Sequence, residues 1–148
     1  MPSKTDQTSK QSKSKVSKKQ YIPAVGRRKE AIARVRLFHG KGETTVNGQP
    51  IGEYFFGPID EATYLKPFKV TGTSGKFYMT VKVIGSGKKG QLGALVHGLA
   101  RALDKQNTEL YHQPLKQAGL LTRDSRTRER RKPGMGGKAR RKRQSPKR

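Results

Sequence analysis

The chain of 148 residues contains no cysteine. That absence excludes disulfides and thiolate metal sites, and nothing argues for a secreted protein. No apolar run approaches the roughly 18 residues that a membrane-spanning helix needs. The opening stretch, Met1 to Lys19, has no apolar segment of the kind a secretory signal requires. It also has no arginine and no amphipathic face, so a mitochondrial presequence is not expected. Residues 1–20 therefore read as a disordered Lys/Ser-rich extension, with nonspecific phosphate contact as the functional reading. Acids are scarce as well: ten Asp and Glu stand against 34 Lys and Arg, for a net charge of +24. Such a charge repels itself unless a polyanion neutralises it, which points to nucleic acid, an anionic membrane or an acidic protein.

The charge is unevenly placed. Residues 1–20 hold six lysines and one aspartate, 21–122 hold fifteen basic and seven acidic residues, and 123–148 hold thirteen basic and two acidic ones. About two thirds of the excess thus lies in the ends. In the last segment Met135 is the one aliphatic residue larger than alanine, and aromatics are missing. Such a segment cannot bury enough apolar surface to offset the entropy of ordering itself. Alone it is expected to be disordered and to order only against dense negative charge, which favours nucleic acid.

Between the two ends the pattern predicts a globular domain over 21–122. Ala31, Ala33, Val35 and Leu37 alternate with Ile32, Arg34, Arg36 and Phe38, a strand period. Gly40-Lys41-Gly42 reads as a turn, with Glu43 to Val46 returning as the hairpin partner. Asn47-Gly48 would normally mark a second hairpin, but Pro50 and the spacing of Ile51, Tyr54 and Phe55 favour a short helix instead. Asp60 to Lys66 reads as another short helix, ended by Pro67. Phe68 to Val70 and Lys76 to Ile84 read as a hairpin about Thr73-Ser74-Gly75, with Phe77, Met79, Val81 and Val83 on one face. The clearest helix carries Leu92, Leu95, Val96, Leu99, Ala102 and Leu103 as one stripe, with His97, Arg101 and Lys105 on the other side. Asn107 or Thr108 caps a further helix through Leu115, Gly119 suits its C-terminal stop, and Leu120 and Leu121 anchor the chain before the tail. The expected plan is α+β, a small sheet with helices on one face.

Gly85 to Gly90 spells G-x-G-x-x-G between a strand and a helix, the local setting of a dinucleotide fingerprint. The rest of that motif is missing: Asp104 lies inside a helix rather than at the end of a second strand, and the chain has no room for a second mononucleotide half. Gln91 and Leu92 stand where a P-loop needs Lys and Ser or Thr. With Lys88 and Lys89 beside a helix N-terminus, the loop instead suits an RNA or DNA phosphate, the plainer reading being a tight turn with solvated lysines. His39, His97 and His112 share no metal-ligand spacing with carboxylates, and Asp60-Glu61 read as an exposed helix start. No cofactor, metal site or enzymatic activity is expected.

The remaining cations fall into three groups. Arg27, Arg28 and Lys29 precede the first recognised strand and cannot share one strand face, which fits a loop or a two-sided grip on phosphate. Arg34 and Arg36 share a sheet face with Ile32 and Phe38. The tail then offers Arg123, Arg126, Arg128, Arg130, Arg131 and Lys132, followed past three glycines by Lys138, Arg140, Arg141, Lys142 and Arg143. Arginine predominates, and its planar fork grips phosphate at two points and stacks on bases. Fully extended, the segment 123–148 spans roughly 85 Å at about 3.3 Å per residue, far enough to thread into a folded RNA. A DNA-compacting or nuclear protein is the competing reading, because Lys138 to Arg148 also resembles a nuclear import signal.

These landmarks, in order, resemble the bacterial-type small-subunit ribosomal protein nine family. The matching residues are Gly26 to Val35, Val46-Asn47-Gly48, Glu53-Tyr54-Phe55, Gly75-Lys76-Phe77, Gly90-Gln91, His97 to Leu103, Leu121 to Arg126, Glu129 to Lys132, Lys138 to Arg141 and Lys147-Arg148. The resemblance implies a fold similar to the second domain of ribosomal protein five, with a left-handed β-α-β connection and a long extended basic tail. It implies a structural, cytoplasmic ribosomal protein that binds 16S-type rRNA in the head of the small subunit beside neighbouring head proteins; a plastid ribosome fits equally. It implies rRNA contacts by Arg27, Arg28, Lys29, Arg34, Arg36, Lys88, Lys89, Arg101 and the tail cations through Arg143. It further implies that the tail reaches the peptidyl-site tRNA, where Lys147 and Arg148 touch the anticodon stem-loop. The family's usual ending is aromatic-Ser-Lys-Arg; here Ser145-Pro146 precede the last two residues, and Pro146 lacks a backbone donor.

Overall fold

A computed structural model describes residues 21–137 and 140–142. Its first element is a strand the hydrophobic pattern does not announce: β1 (Ile22–Arg28) pairs antiparallel with β2 (Ala31–His39), Arg28 opposite Ala31. The turn is closed by Lys29 at a left-handed φ of 50°. Of the two readings of Arg27 to Lys29, a loop or a two-sided arrangement, the loop holds only for Lys29; Gly26 to Arg28 are strand, with Arg27 and Arg28 on opposite faces. β1 buries only Ala24 and Gly26, with Ile22 and the Arg28 stem half-buried on the same face, so no run of large apolar residues marks its alternation.

β2 buries Ala31, Ala33, Val35 and Leu37. Its second neighbour is β5 (Phe77–Ile84), antiparallel, with Val35 opposite Val81. Both edges of β2 are thus taken, so Glu43 to Val46 does not return beside it as expected. Thr45–Val46 (β3) instead pairs parallel with β5, and Gln49–Pro50 (β4) folds back on β3. Asn47 and Gly48 both take positive φ, 52° and 87°, the backbone a two-residue hairpin demands. The hairpin set aside on sequence is therefore present, and the short helix α1 (Ile51–Tyr54) follows it as expected. The sheet order is β1-β2-β5-β3-β4.

The helix α2 (Pro58–Thr71) runs straight through Pro67 and ends at Gly72, whose φ of 62° makes the left-handed stop. The expected break at Pro67 and the strand from Phe68 to Val70 do not form. Pro67 and Phe68 are buried, and Tyr64 joins them in the core, so packing outweighs the missing amide. Thr73 to Gly75 accordingly link a helix to β5 rather than closing a hairpin. The long helix α3 (Lys88–Gln106) lies across β1 and β2 and buries Leu92, Leu95, Leu99 and Leu103. The last helix, α4 (Thr108–Gln117), begins under an Asn107 cap that accepts from the Leu110 amide, and Gly119 at φ 68° follows it. α2 and α4 pack on α3, so the helices form one layer on one face of a mixed sheet, an α+β plan.

Leu120 and Leu121 pack against the core, as expected, before the chain leaves the body. Arg123 to Lys132 then run without helix or strand. Beyond them the tail makes a small antiparallel ribbon, β6 (Met135–Gly137) with β7 (Arg140–Lys142), within a segment expected to be disordered alone. Residues 1–20, Lys138, Arg143, Pro146, Lys147 and Arg148 lie outside the described residues.

Candidate nucleic-acid interface

The tail does not hang from a loose joint. Arg28, at the end of β1, lays its stem over Gly93 of α3, where an added Cβ would meet Arg28 Cδ at 2.3 Å. Its guanidinium then pairs with the carboxylate of Asp124, the second residue of the basic tail. Arg126 closes on the same carboxylate, Nη2 to Oδ2 at 2.6 Å and Nε to Oδ1 at 3.1 Å, while its backbone N–H donates to Oδ1 at 2.9 Å. Arg126, then Arg28, hold the Asp124 carboxyl far below its usual range. One acid thus fixes two arginines and sets the direction in which the tail departs. Arg28 and Arg126 are expected RNA contacts on sequence, where Asp124 carries no assigned role. An acid inside a basic run was the available signal.

His97 sits beside this root. The Arg27 amide points at its Nδ1 at 3.4 Å. Burial, and next the nearby Arg101 charge, push its pKa below the ordinary value. Arg101 donates to the Val25 carbonyl at 2.6 Å and Lys105 to the Pro23 carbonyl at 3.2 Å. Pro23, Val25 and Arg27 turn their backbone polar groups to the free edge of β1, and three α3 side chains spaced four apart cover that edge. The side of α3 opposite the apolar stripe at these three positions is a lid on an edge strand.

The glycine loop is built for packing. Gly85, at φ 77°, faces the β1–β2 turn so closely that a Cβ would lie 2.4 Å from the Glu30 carbonyl oxygen. Lys88 places its ammonium over the Tyr54 ring, 3.3 Å from the centroid, and donates to the Tyr54 carbonyl. Lys89 reaches Asp60 at 2.5 Å. Asp60, expected to be exposed, is buried in the first turn of α2, while Glu61 is exposed. Both lysines therefore staple the start of α3 to its neighbours. The Lys89 side chain remains 78% exposed, so ammonium donors are left over for an anion.

Behind the loop, Asn47 extends the β3–β5 ladder with its side chain. Its Oδ1 accepts from the Val83 amide at 2.8 Å and its Nδ2 donates to the Val83 carbonyl at 3.0 Å. Nδ2 also reaches the Tyr54 hydroxyl, which donates to Gln91 Oε1 at 2.8 Å; Gln91 in turn donates to the Gly85 carbonyl. Three separated sequence landmarks, Asn47, Tyr54 and Gln91, meet in one hydrogen-bonded chain.

Several other candidate cations point outward. Arg27 is exposed on β1, Lys29 on the turn, and Arg34 and Arg36 on β2. Arg123, Arg128, Arg130, Arg131 and Lys132 are exposed along the tail, and Arg140, Arg141 and Lys142 form β7. Among the described residues no cluster of His, Asp and Glu could hold a metal ion, and no helix is long and apolar enough to cross a membrane.

A family model described as ribosomal protein S9/S16 matches residues 26–148, from the Gly26 contact with α3 through the whole tail. The chain belongs to the ribosomal protein S9/S16 family. It is 48% identical over 120 residues to the small ribosomal subunit protein uS9 of Dehalococcoides mccartyi strain BAV1, covering 81% of this chain and 90% of that one. It is 46% identical over 113 residues to the uS9 protein of Anaeromyxobacter sp. strain K, covering 76% and 86%. The Cutibacterium acnes uS9 protein is 43% identical over 112 residues, covering 76% and 65%. Within the matched range lie its structural joints: Gly26 against α3, Asn47, Tyr54 and Gln91 in one network, and Asp124 at the tail root.

Proposed function

We propose that the protein is a non-catalytic structural component of the small ribosomal subunit, binding 16S-type rRNA in the subunit head beside other head proteins. The supporting observation is the cationic stretch Arg123 to Lys132, exposed and without secondary structure, rooted to the folded body by the Arg28–Asp124 pair. A segment of that composition needs a polyanion to order it. The division is functional: 1–20 is an extension, 21–122 the globular body, and 123–148 the RNA-threading tail. In the body, Arg27, Lys29, Arg34 and Arg36 offer free guanidinium and ammonium groups to rRNA. Arg28, Lys88, Lys89 and Arg101 offer the donors that their internal partners leave over. The tail cations from Arg123 to Arg143 carry the deeper contacts, and Lys147 and Arg148 reach the anticodon stem-loop of the peptidyl-site tRNA. The parallel pair β3 and β5, joined through α1 and α2, is the left-handed β-α-β unit of a ribosomal protein five domain-two-like fold on this reading.

Co-sedimentation tests it. The chain is expected to stay with small ribosomal subunits through a high-salt wash. Release from subunits together with retention on chromatin would replace this reading with a DNA-compacting one.

A further inference from the structure

The helix layer covers one face of β1, β2 and β5; the outward positions on the other face make a second surface. At one end Tyr21, Phe38 and Tyr78 form an aromatic ridge. The Phe38 and Tyr78 rings stack at 5.0 Å with planes 11° apart, and Tyr21 follows at 5.7 Å from Phe38. Tyr21 ends the ridge, 42% exposed, with the Arg36 guanidinium 5.2 Å from its ring centre. In the middle stand Arg36 and Arg34 of β2, with Lys82 of β5 directly opposite Arg34 in the register. At the far end lie Ile32, Arg27 and Ile84, the last 53% exposed.

Arg34 and Lys82 are a like-charge cross-strand pair, an arrangement that destabilises a sheet. No residue of β1, β2 or β5 is acidic, and among the described residues none of Arg34, Arg36 and Lys82 joins an ion pair. The repulsion is left for an outside anion to relieve. Neither residues 1–20, with six lysines and one aspartate, nor a second copy at net +24 can supply it.

We propose that this open sheet face is an RNA-docking surface separate from the tail. It rests on the reading of the chain as an rRNA-binding protein. Arg34 and Lys82 converge on one phosphate of an unpaired RNA segment. Arg36, one pleat farther along at about 6.8 Å, takes the next. A base packs on Tyr21 at the end of the ridge, as unpaired bases do on aromatic rings.

The test compares the full chain, a triple variant Arg34→Gln/Arg36→Gln/Lys82→Gln and a tail variant Arg128→Gln/Arg130→Gln on a 16S-type rRNA 3′-domain fragment. Binding is measured over a potassium chloride series, with hydroxyl-radical footprints. The triple variant should lower the slope of log K against log salt by about 1.4–1.8, two phosphates' worth. It should also erase a footprint that the tail variant keeps. An unchanged slope and footprint overturn the docking face and leave the rRNA reading standing. If the unaltered chain does not prefer this RNA to an unrelated one, the rRNA reading itself fails. Because the variant removes a repulsive pair, its melting temperature should not fall. Should it nevertheless fail to fold, a photo-crosslinking residue in place of Thr80, opposite Arg36, decides the matter in assembled subunits. Crosslinks to RNA support the face. Crosslinks to a protein, to a second copy or to residues 1–20 overturn it.

Discussion

Gly26 of β1 and Gly98 of α3 meet backbone to backbone: a Cβ on Gly26 would lie 2.3 Å from the Gly98 nitrogen and 1.9 Å from the Ala94 carbonyl oxygen. This contact brings the helix against the edge strand, lets Arg101 and Lys105 reach the β1 carbonyls and sets Arg27 against His97. It also places Arg28, two residues on, where Asp124 can take it.

Gly26→Ala should therefore destabilise strongly, because the clashing atoms are backbone and cannot move aside. Overpacking of this kind costs about 1–3 kcal/mol, and this site belongs at or above the upper end. Gly98→Ala should cost less. Its Cβ would meet Val35 Cγ2 at 2.8 Å and the Gly26 nitrogen at 2.9 Å. Alanine also recovers about 1 kcal/mol of helix propensity. Urea unfolding of the two variants should rank them in that order, and equal midpoints would contradict the contact.

Asn47 carries two demands at once, a left-handed backbone and a two-point bond to Val83. Asn47→Gly keeps the first and loses the second. It should cost about 1–3 kcal/mol, the range for buried partners left unpaired. Tyr54→Phe removes only the hydroxyl between Asn47 and Gln91 and should cost about 0.5–1.5 kcal/mol. A double variant costing less than the sum would show that the two act as one network.

His97 sets a pH dependence with a definite sign. Its folded pKa lies below the ordinary 6.5, chiefly through burial, so the native state prefers the neutral ring. The stability this provides is complete above about pH 6.5 and is lost as pH falls through the folded value. The Asp124 carboxyl is also depressed, so its contribution persists above its ordinary 3.8 and declines only as pH falls below that. Unfolding at pH 7.5 and 5.5 therefore isolates the histidine. His97→Gln should lose less stability across that interval than the unaltered chain does; an equal loss would assign the dependence elsewhere.

Much of the body is legible without coordinates, and the parts that are not share a cause. β2, β5 and α3 bury long runs of large side chains, so their periods are plain in the sequence. β1 buries alanine and glycine because α3 sits too close for anything larger, and its period disappears. Pro67 reads as a helix end, yet its burial with Phe68 accompanies a helix that continues to Thr71. The site divides in the same way. Outward cations such as Arg34 and Arg36 follow from strand alternation. That Arg28, Lys88, Lys89 and Arg101 bond within the fold depends on partners 29 to 96 positions away, a range no local pattern reports.

Asp124→Asn should uncouple the tail from the body without unfolding it. Arg28 and Arg126 lose the charge that holds them, although the Arg126 amide can still donate to the asparagine oxygen. Amide exchange should quicken around residues 122–127. The loss of one negative charge should raise affinity for unrelated RNA, while a root free to swing loses its preset direction. The ratio of affinities for 3′-domain rRNA and for an unrelated RNA of equal length should fall. An unchanged ratio with unchanged exchange would leave the clasp without a role in recognition.

The tail's two stretches are expected to fail differently when removed. Deleting everything from Arg123 onward takes away thirteen of the 34 basic residues together with the Asp124 clasp, so incorporation into small subunits should drop. Deleting only Gln144 to Arg148 leaves the clasp and eleven of those thirteen cations. Incorporation should then persist while peptidyl-site tRNA binds less tightly. Pro146 sharpens the comparison: it has no amide to donate, so Pro146→Ala restores a backbone donor just before Lys147 and Arg148. If those residues hold tRNA phosphates, that variant should bind tRNA at least as well as the unaltered chain. Full tRNA affinity after the five-residue deletion, with normal incorporation, would remove the terminal contact from the proposed function and leave the rRNA role intact.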